Sequence, residues 1–320
     1  MAGQLRRGCS PSPETGYVAI VGLSQHRVVI DTDIGTDVDD LWTLAMVPGR
    51  PDMDLVAVTV VYGDTRLRAR LASLALAGMG LSAPVARGME DPMSGRCVMW
   101  AGYEGVDVPG LDDASTGTGD AVGLLCDTVA ADPCGVDVVA IAPLTNIAAA
   151  IRGGSSFSEN VKSLFVMGGE FSNGWAEHNV SSDIDAARIV FGSGVPITVV
   201  PLDQTLRVLL SAQDLAGATE CHPLGALMAD QADRFWAWLR TRVPGAPHRA
   251  SPAHDPCALL ALLEPDMFEV TPMAVTVDDD GRTVGESDRV SPVGVVTDLD
   301  PDRVRRVIID AIKGEPADGC

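Results

Sequence analysis

Five aspartates crowd into ten positions near the start of the chain: Asp31, Asp33, Asp37, Asp39 and Asp40, with Gly35 among them. Carboxylates this close cannot all stay ionised unaided, because each raises its neighbours' proton affinity. A hard divalent cation, which prefers oxygen ligands, is the simplest neutraliser. Metal binding is therefore the chemistry on offer. Asp and Gly also build ordinary solvated turns, so the flanks decide. Val28-Val29-Ile30 before the cluster and Leu41-Trp42-Thr43-Leu44-Ala45-Met46 after it pin the turn between two apolar elements. The first reads as a buried parallel strand, and open α/β sheets place their ligands at the carboxyl ends of such strands.

Two other readings of the aspartates fare worse. An EF-hand needs glycine at the sixth loop position, but counting from Asp31 puts Gly35 fifth. A phosphatase with Asp31 as nucleophile and Mg²⁺ needs a downstream lysine with an acidic pair. The two lysines are Lys162 and Lys313, and Lys162 leads into Phe165-Val166-Met167-Gly168-Gly169 instead. That reading stays as a lesser alternative. Two further segments carry chemistry. Ala176-Glu177-His178-Asn179 offers a carboxylate and an amide after a glycine-rich turn, and Ala253-His254-Asp255-Pro256 sets His beside Asp ahead of an apolar helix. Asp255 reads as the cap of that helix with Pro256 in its first turn, a role compatible with metal ligation.

The elements that must position these residues alternate. Strands are expected at Val56–Val61, Val136–Ile141, Ser163–Met167 and Ile197–Val200, and a helix over residues 65–80. Such alternation predicts right-handed βαβ crossovers, hence an α/β fold with an open, mostly parallel twisted sheet flanked by helices. Ala274–Val277 and Thr283–Gly285 around Asp278-Asp279-Asp280-Gly281 predict a small antiparallel C-terminal hairpin. The helix Leu227–Arg240, with Phe235, Trp236 and Trp238, and the breaker-rich tail Val243–Pro247 read either as a pocket wall or lid or as ordinary amphipathic packing. We expect residues 1–25 to be a flexible lead-in and 26–315 a single domain.

Composition excludes several classes. The chain has 320 residues and a net charge of −21, which disfavours nucleic-acid and anionic-membrane partners. No apolar run reaches the roughly 18 residues of a membrane span. The basic opening Met1–Arg7 is followed by Ser10-Pro11-Ser12-Pro13 rather than an apolar signal core, so the expected location is cytoplasmic. Seven cysteines without a Cys-x-x-Cys pair argue against a disulfide framework or zinc ribbon; most are expected to be small buried apolar residues.

Taken in order, the aspartate signature, Pro143-Leu144-Thr145-Asn146-Ile147-Ala148, Met167-Gly168-Gly169, Ala176-Glu177-His178-Asn179 and His254-Asp255-Pro256 resemble the inosine–uridine nucleoside hydrolase family over residues 27–313. The resemblance implies a Rossmann-like fold, a homo-oligomer and a ribonucleoside substrate split into base and ribose with one Ca²⁺. It implies that Asp33, Asp40 and Asp255 bind the ion by side chain and Ile141 by its carbonyl. Asp39 would meet the 2′-hydroxyl, Asn179 the 3′-hydroxyl side, and Glu177 with Asn173 the 5′-hydroxyl. Asp64 stands where the family has Asn, near the water and the 2′-hydroxyl. Met167, His178 and Trp238 complete the expected substrate contacts. Asp33 is the candidate base that activates water, and His254, with an ordinary pKa near neutrality, the candidate acid for the leaving base.

This chain departs from that pattern in three places. The signature carries two extra positions, leaving Asp37 unassigned and a swap between Asp37 and Asp39 open. The family's His-Gly-x-x-Gly-Leu loop is replaced by Ala101-Gly102-Tyr103-Glu104-Gly105-Val106, with Trp100 or Tyr103 as substitutes for its His. The loop before Ala176 is also shorter. These departures motivate an alternative: a catalytically altered relative that binds a nucleoside or ribose with Ca²⁺ for a regulatory or biosynthetic role.

Overall fold

The computed structural model describes residues 25–243, 249–287 and 291–314. Of the expected lead-in only Gln25 falls among them; residues 244–247 of the breaker-rich tail and residue 315 lie outside the described residues. In chain order the strands are β1 (His26–Thr32), β2 (Met53–Val60), β3 (Val85–Arg87), β4 (Val136–Ala140), β5 (Ser163–Met167), β6 (Ile197–Val200), β7 (Leu209–Ser211), β8 (Ala250–Pro252), β9 (Phe268–Pro272), β10 (Ala274–Val277), β11 (Thr283–Glu286) and β12 (Val293–Leu299). The helices are α1 (Asp39–Ala45), α2 (Thr65–Gly78), α3 (Ala121–Ala131), α4 (Thr145–Arg152), α5 (Ser155–Asn160), α6 (His178–Ser182), α7 (Ile184–Phe191), α8 (Leu202–Thr205), α9 (Ala212–Cys221), α10 (Gly225–Arg242), α11 (His254–Leu263) and α12 (Pro301–Lys313).

Eight strands form one sheet in the order β3-β2-β1-β4-β5-β6-β12-β9. All neighbours run parallel except β12 and β9. Side chains alternate across the sheet. Val28 and Ile30 join the core beneath α1, α2 and α9–α12, whereas Val29 joins the core beneath α3, α4, α5 and α7. Both faces of β1 are thus dry, which is why its sequence is apolar without alternation. Strand order reverses at β1/β4, the topological switch point of a doubly wound sheet, and a crevice opens there beyond the strand ends.

Two short ladders lie outside this sheet. The β10–β11 hairpin forms as expected, its turn held by amides of Asp280 and Arg282 donating to the Asp278 carboxylate. The β7–β8 ladder brings residue 209 against residue 252, closing off the α9–α10 excursion between them. Ala253 then donates to the Val208 carbonyl at 2.9 Å, fixing where α11 starts. None of the described helices is long and apolar enough to cross a membrane. Among the cysteines described as free, Cys257 is buried, Cys126 half-buried and Cys97 exposed.

Candidate active site

Beyond the ends of β1, β4 and β5 lies a cavity of about 340 Å³ lined by Asp33, Thr36, Asp37, Asp39, Asp40, Met99, Ile141, Met167, Ala176, Glu177, His178, Asn179, Leu202, Phe235, Trp238, His254 and Asp255. Eleven of the thirteen distinct residues expected from the sequence therefore share one space; Asp64 and Asn173 do not.

Its acidic floor is built by two helix starts. The turn after β1 needs Gly35, whose φ of +129° would strain any other residue and whose added Cβ would strike Leu71. It delivers Asp39 and Asp40 as the first residues of α1, without a side-chain cap. α11 packs against α1 and β5. Its start meets that of α1, with the Asp255 amide donating to Asp39 Oδ2 at 3.1 Å across 216 residues of chain. Asp255 is consequently not the helix cap expected from the sequence. The cap position is Ala253, which makes no side-chain bond, and Asp255 sits inside the first turn.

Carboxylate oxygens of Asp39, Asp40 and Asp255, all buried, lie within 4.8 Å of one another. Burial first pushes the Asp39 and Asp255 carboxyls well above the usual range, followed by repulsion from Asp37 on Asp39 and from Asp39 on Asp255; for Asp40 burial is followed by repulsion from Asp33. Burial likewise raises Asp37 to about 8. Helix N-termini favour negative charge, and the Thr32 hydroxyl donates to Asp40, yet neither neutralises three carboxylates. All-oxygen donors at this spacing suit a hard divalent cation.

The expected ligand trio named Asp33 rather than Asp39. Asp33 lines the cavity, but its Oδ2 stands 3.7 Å from Nη2 of Arg68, outside the tight group. Arg68 is a residue the sequence reading missed. It is one of several arginines on a helix rich in Arg and Ala, none of which the sequence singles out, yet it is 1% exposed. Its Nε donates to the Tyr62 carbonyl at 2.6 Å and its Nη1 to the Ile34 carbonyl at 3.0 Å, while Trp100 covers its face at 5.1 Å. It ties the aspartate turn to the loop after β2 and places a permanent positive charge beside Asp33 and Asp40.

Asp31 belongs elsewhere. It is fully buried, accepts from Thr59 Oγ1 at 2.5 Å and Asn146 Nδ2 at 2.8 Å, and burial raises it to about 7. Asn146 also receives the Met89 amide, and Gly88 packs so tightly on it that a Cβ would come within 2.0 Å. The Pro143–Asn146 motif is therefore a brace, and Asp31, which does not line the cavity, is no nucleophile.

On the opposite wall Glu177 caps α6. Its Oε1 accepts from the Asn179 amide at 2.7 Å, and its Oε2 from the amides of Val180 at 3.0 Å and Gly169 at 2.9 Å. Asn179 Nδ2 donates to the Met167 carbonyl at 3.1 Å. His178 packs edge-on against Tyr62. Asn173, expected here, is exposed, and its amide and side chain both donate to the buried Glu170 carboxylate at 2.6 and 2.9 Å, which folds the loop onto itself. Asp64 is likewise diverted, since it caps α2 by accepting from Leu67 at 2.9 Å.

The remaining wall is apolar: Met99, Leu202, Phe235 and Trp238. The α10 aromatics do form a pocket wall, with Phe235 and Trp238 stacked at 6.0 Å. Neither proposed substitute for the family histidine lines the cavity. Trp100 covers Arg68, and Tyr103 donates to the Thr36 carbonyl at 2.6 Å. Met99 lines the cavity instead, its amide donating to the Tyr62 hydroxyl at 2.8 Å. His254 sits at the start of α11, and burial pushes its imidazole down to about 4, so it is neutral at pH 7 rather than poised to protonate.

Comparison with known proteins agrees with this geometry. The chain is 30% identical over 281 residues to uridine nucleosidase 1 of Arabidopsis thaliana, covering 83% of this chain and 82% of that one. It is 30% identical over 269 residues to the pyrimidine-specific ribonucleoside hydrolase RihA of Citrobacter koseri, covering 80% and 85%. A purine-preferring ribonucleoside hydrolase from Gardnerella vaginalis superposes with a TM-score of 0.79 at 26% identity, over 90% of this chain and 98% of that one. A plant nucleoside hydrolase gives the same TM-score at 24% identity, over 90% and 99%, which supports the shared fold. With the sequence model of inosine-uridine preferring nucleoside hydrolases matching residues 28–306, and an acidic floor facing an apolar wall at the sheet's switch point, this chain belongs to that family.

Proposed function

We propose that the protein hydrolyses the N-glycosidic bond of ribonucleosides, releasing base and ribose, with Ca²⁺ as cofactor. The observation that carries this reading is the convergence of Asp39 and Asp40 with Asp255, from opposite ends of the chain, in a cavity that also holds Glu177, Asn179 and His254. Asp40, Asp255 and Asp39 would hold the ion, with the Ile141 carbonyl beside them. When bound, it supplies a fixed positive charge for vicinal ribose hydroxyls and a more acidic water.

The chain's own residues do the rest. Asp33, held apart from the trio by Arg68, takes the proton of the attacking water. Glu177 and Asn179 orient the sugar through its hydroxyls. The carboxylates stabilise positive charge that builds on the ribose as the bond to the base loosens. A net charge of −21 fits a free nucleoside rather than a nucleic acid as substrate. Residues 26–315 act as one unit, because the site draws on both ends of the chain, and a cytoplasmic location belongs to the same proposal.

The test is release of reducing sugar from uridine and inosine, with and without chelator, in wild type and Asp33→Ala. Chelator-sensitive hydrolysis that Asp33→Ala abolishes supports the proposal. Saturable nucleoside binding without turnover would favour the non-catalytic relative instead.

A further inference from the structure

Behind the cavity stands a tyrosine in a backbone conformation that suits glycine. Tyr62 follows β2 with a φ of +71°, a region that bulky residues avoid and keep only where their surroundings enforce it. Here the surroundings do. The Tyr62 amide donates to the Met89 carbonyl at 2.8 Å, and the next amide, of Gly63, to the Glu90 carbonyl at 2.8 Å. The Tyr62 carbonyl accepts Nε of Arg68 at 2.6 Å. Glycine would adopt this conformation without strain, so the reason for tyrosine lies in its side chain. That side chain is buried and does not itself line the cavity, yet it reaches two of its walls from behind. Its hydroxyl accepts the Met99 amide at 2.8 Å and the Ser182 hydroxyl at 3.2 Å. Its ring meets His178 edge-on, with centroids 5.8 Å apart. Met99 belongs to the apolar wall, whereas His178 and Ser182 belong to α6, which also carries Asn179. Met99 lies 37 positions along the chain from Tyr62 and Ser182 lies 120. One phenol oxygen joins them.

We infer that Tyr62 is a positioning residue whose hydroxyl sets the separation between Met99 and α6, and with it the fit of the base against the side chains that hold the sugar. This rests on the hydrolase reading above. The strained backbone, locked through its carbonyl to the Arg68 that stands beside Asp33, fixes where the ring begins. The ring is rigid, so its oxygen has one place to be, and both donors are brought to it. Removing that oxygen keeps the ring against His178 but frees the Met99 segment and α6 to relax apart. A displacement of about 1 Å away from the chemistry can cost about 10²-fold in rate. A widened slot also treats larger and smaller bases unequally.

Two readouts separate this from a merely structural role. The first compares wild type with Tyr62→Phe, which deletes the hydroxyl and keeps the ring. The variant should lose about 10- to 100-fold in kcat on uridine. Its ratio of uridine to inosine kcat/KM should shift by about three- to fivefold. A tyrosine that only fills space would lower both substrates by the same factor, and that result overturns the inference. The second readout is residue-resolved amide hydrogen exchange without substrate. The Met99 amide should be protected in wild type and exchange at least about tenfold faster in Tyr62→Phe. The Gly63 amide, bonded to a backbone carbonyl, should keep its rate. Equal rates at Met99 in the two proteins overturn the inference. An unprotected Met99 amide in wild type overturns it even if Tyr62→Phe does not fold. A wild type that cleaves neither nucleoside removes the hydrolase reading, while exchange at Met99 still decides whether the hydroxyl anchors that wall.

Discussion

The two ends of the cavity are made of opposite materials. The floor and one wall bring together Asp33, Asp39, Asp40, Asp255, Glu177 and Asn179, with Asp39 and Glu177 held by backbone amides, Asp40 by a hydroxyl and Asp33 beside the buried Arg68. The far wall offers Met99, Leu202, Phe235 and Trp238. A site built to hydrogen-bond a hydroxyl rejects an analogue lacking it, because the site's buried polar groups are then left unpaired. An apolar wall discriminates weakly among shapes it can accommodate. This contrast predicts a molecule strict about the sugar and permissive about the base.

The comparison breaks most directly at the acidic floor. Asp40→Asn or Asp255→Asn should lower uridine turnover by at least about 10³-fold and abolish calorimetric Ca²⁺ binding. A variant that hydrolyses at the wild-type rate would remove the ion from the chemistry. Next in size is the sugar test: 2′-deoxyuridine should fall below uridine in kcat/KM by about 10³-fold or more, whereas equal rates would deny the strictness assigned to this end. Asn179→Ala should follow, with a loss of about 10²-fold, read in the same assay.

Arg68→Met sharpens the electrostatic side. Stripping the buried cation from between two carboxylates should cost about 3–5 kcal/mol in chelated protein. Calorimetry should register a drop of about 4–8 °C in melting temperature, partly recovered by Ca²⁺. An unchanged melting temperature would mean that Arg68 is not a counter-charge. The smallest effect belongs to the apolar wall. Phe235→Leu or Met99→Leu should change the ratio of uridine to inosine turnover by less than about tenfold. A thousandfold switch would show that this wall reads the base.

The same contrast governs what could be read from the sequence. The floor was legible because its carboxylates have no other business at a strand end, and because their motifs are contiguous. The apolar wall was not, because Met99 and Leu202 are of the same types as the core and reach the site only through folding. Phe235 and Trp238 fitted wall or packing equally well until α10 was placed. Asp64 and Asn173 were misassigned for one reason: a nearer partner, the Leu67 amide or the Glu170 carboxylate, claims each side chain first. The central strands announced themselves as apolar runs. The sheet's far edge did not, since the edge strand β9 is largely solvent-facing and pairs with β12 on one side alone.

The three-residue ladder between Leu209–Ser211 and Ala250–Pro252 has a consequence for how such a protein can change. It cinches the chain so that α9 and α10, the aromatics of α10 included, leave and rejoin the fold at one point while their buried faces stay in the core. His254 and Asp255 lie on the near side of the knot. Exposed-side changes along α10 therefore bear on the apolar wall through Phe235 and Trp238, while the start of α11 stays fixed by the ladder.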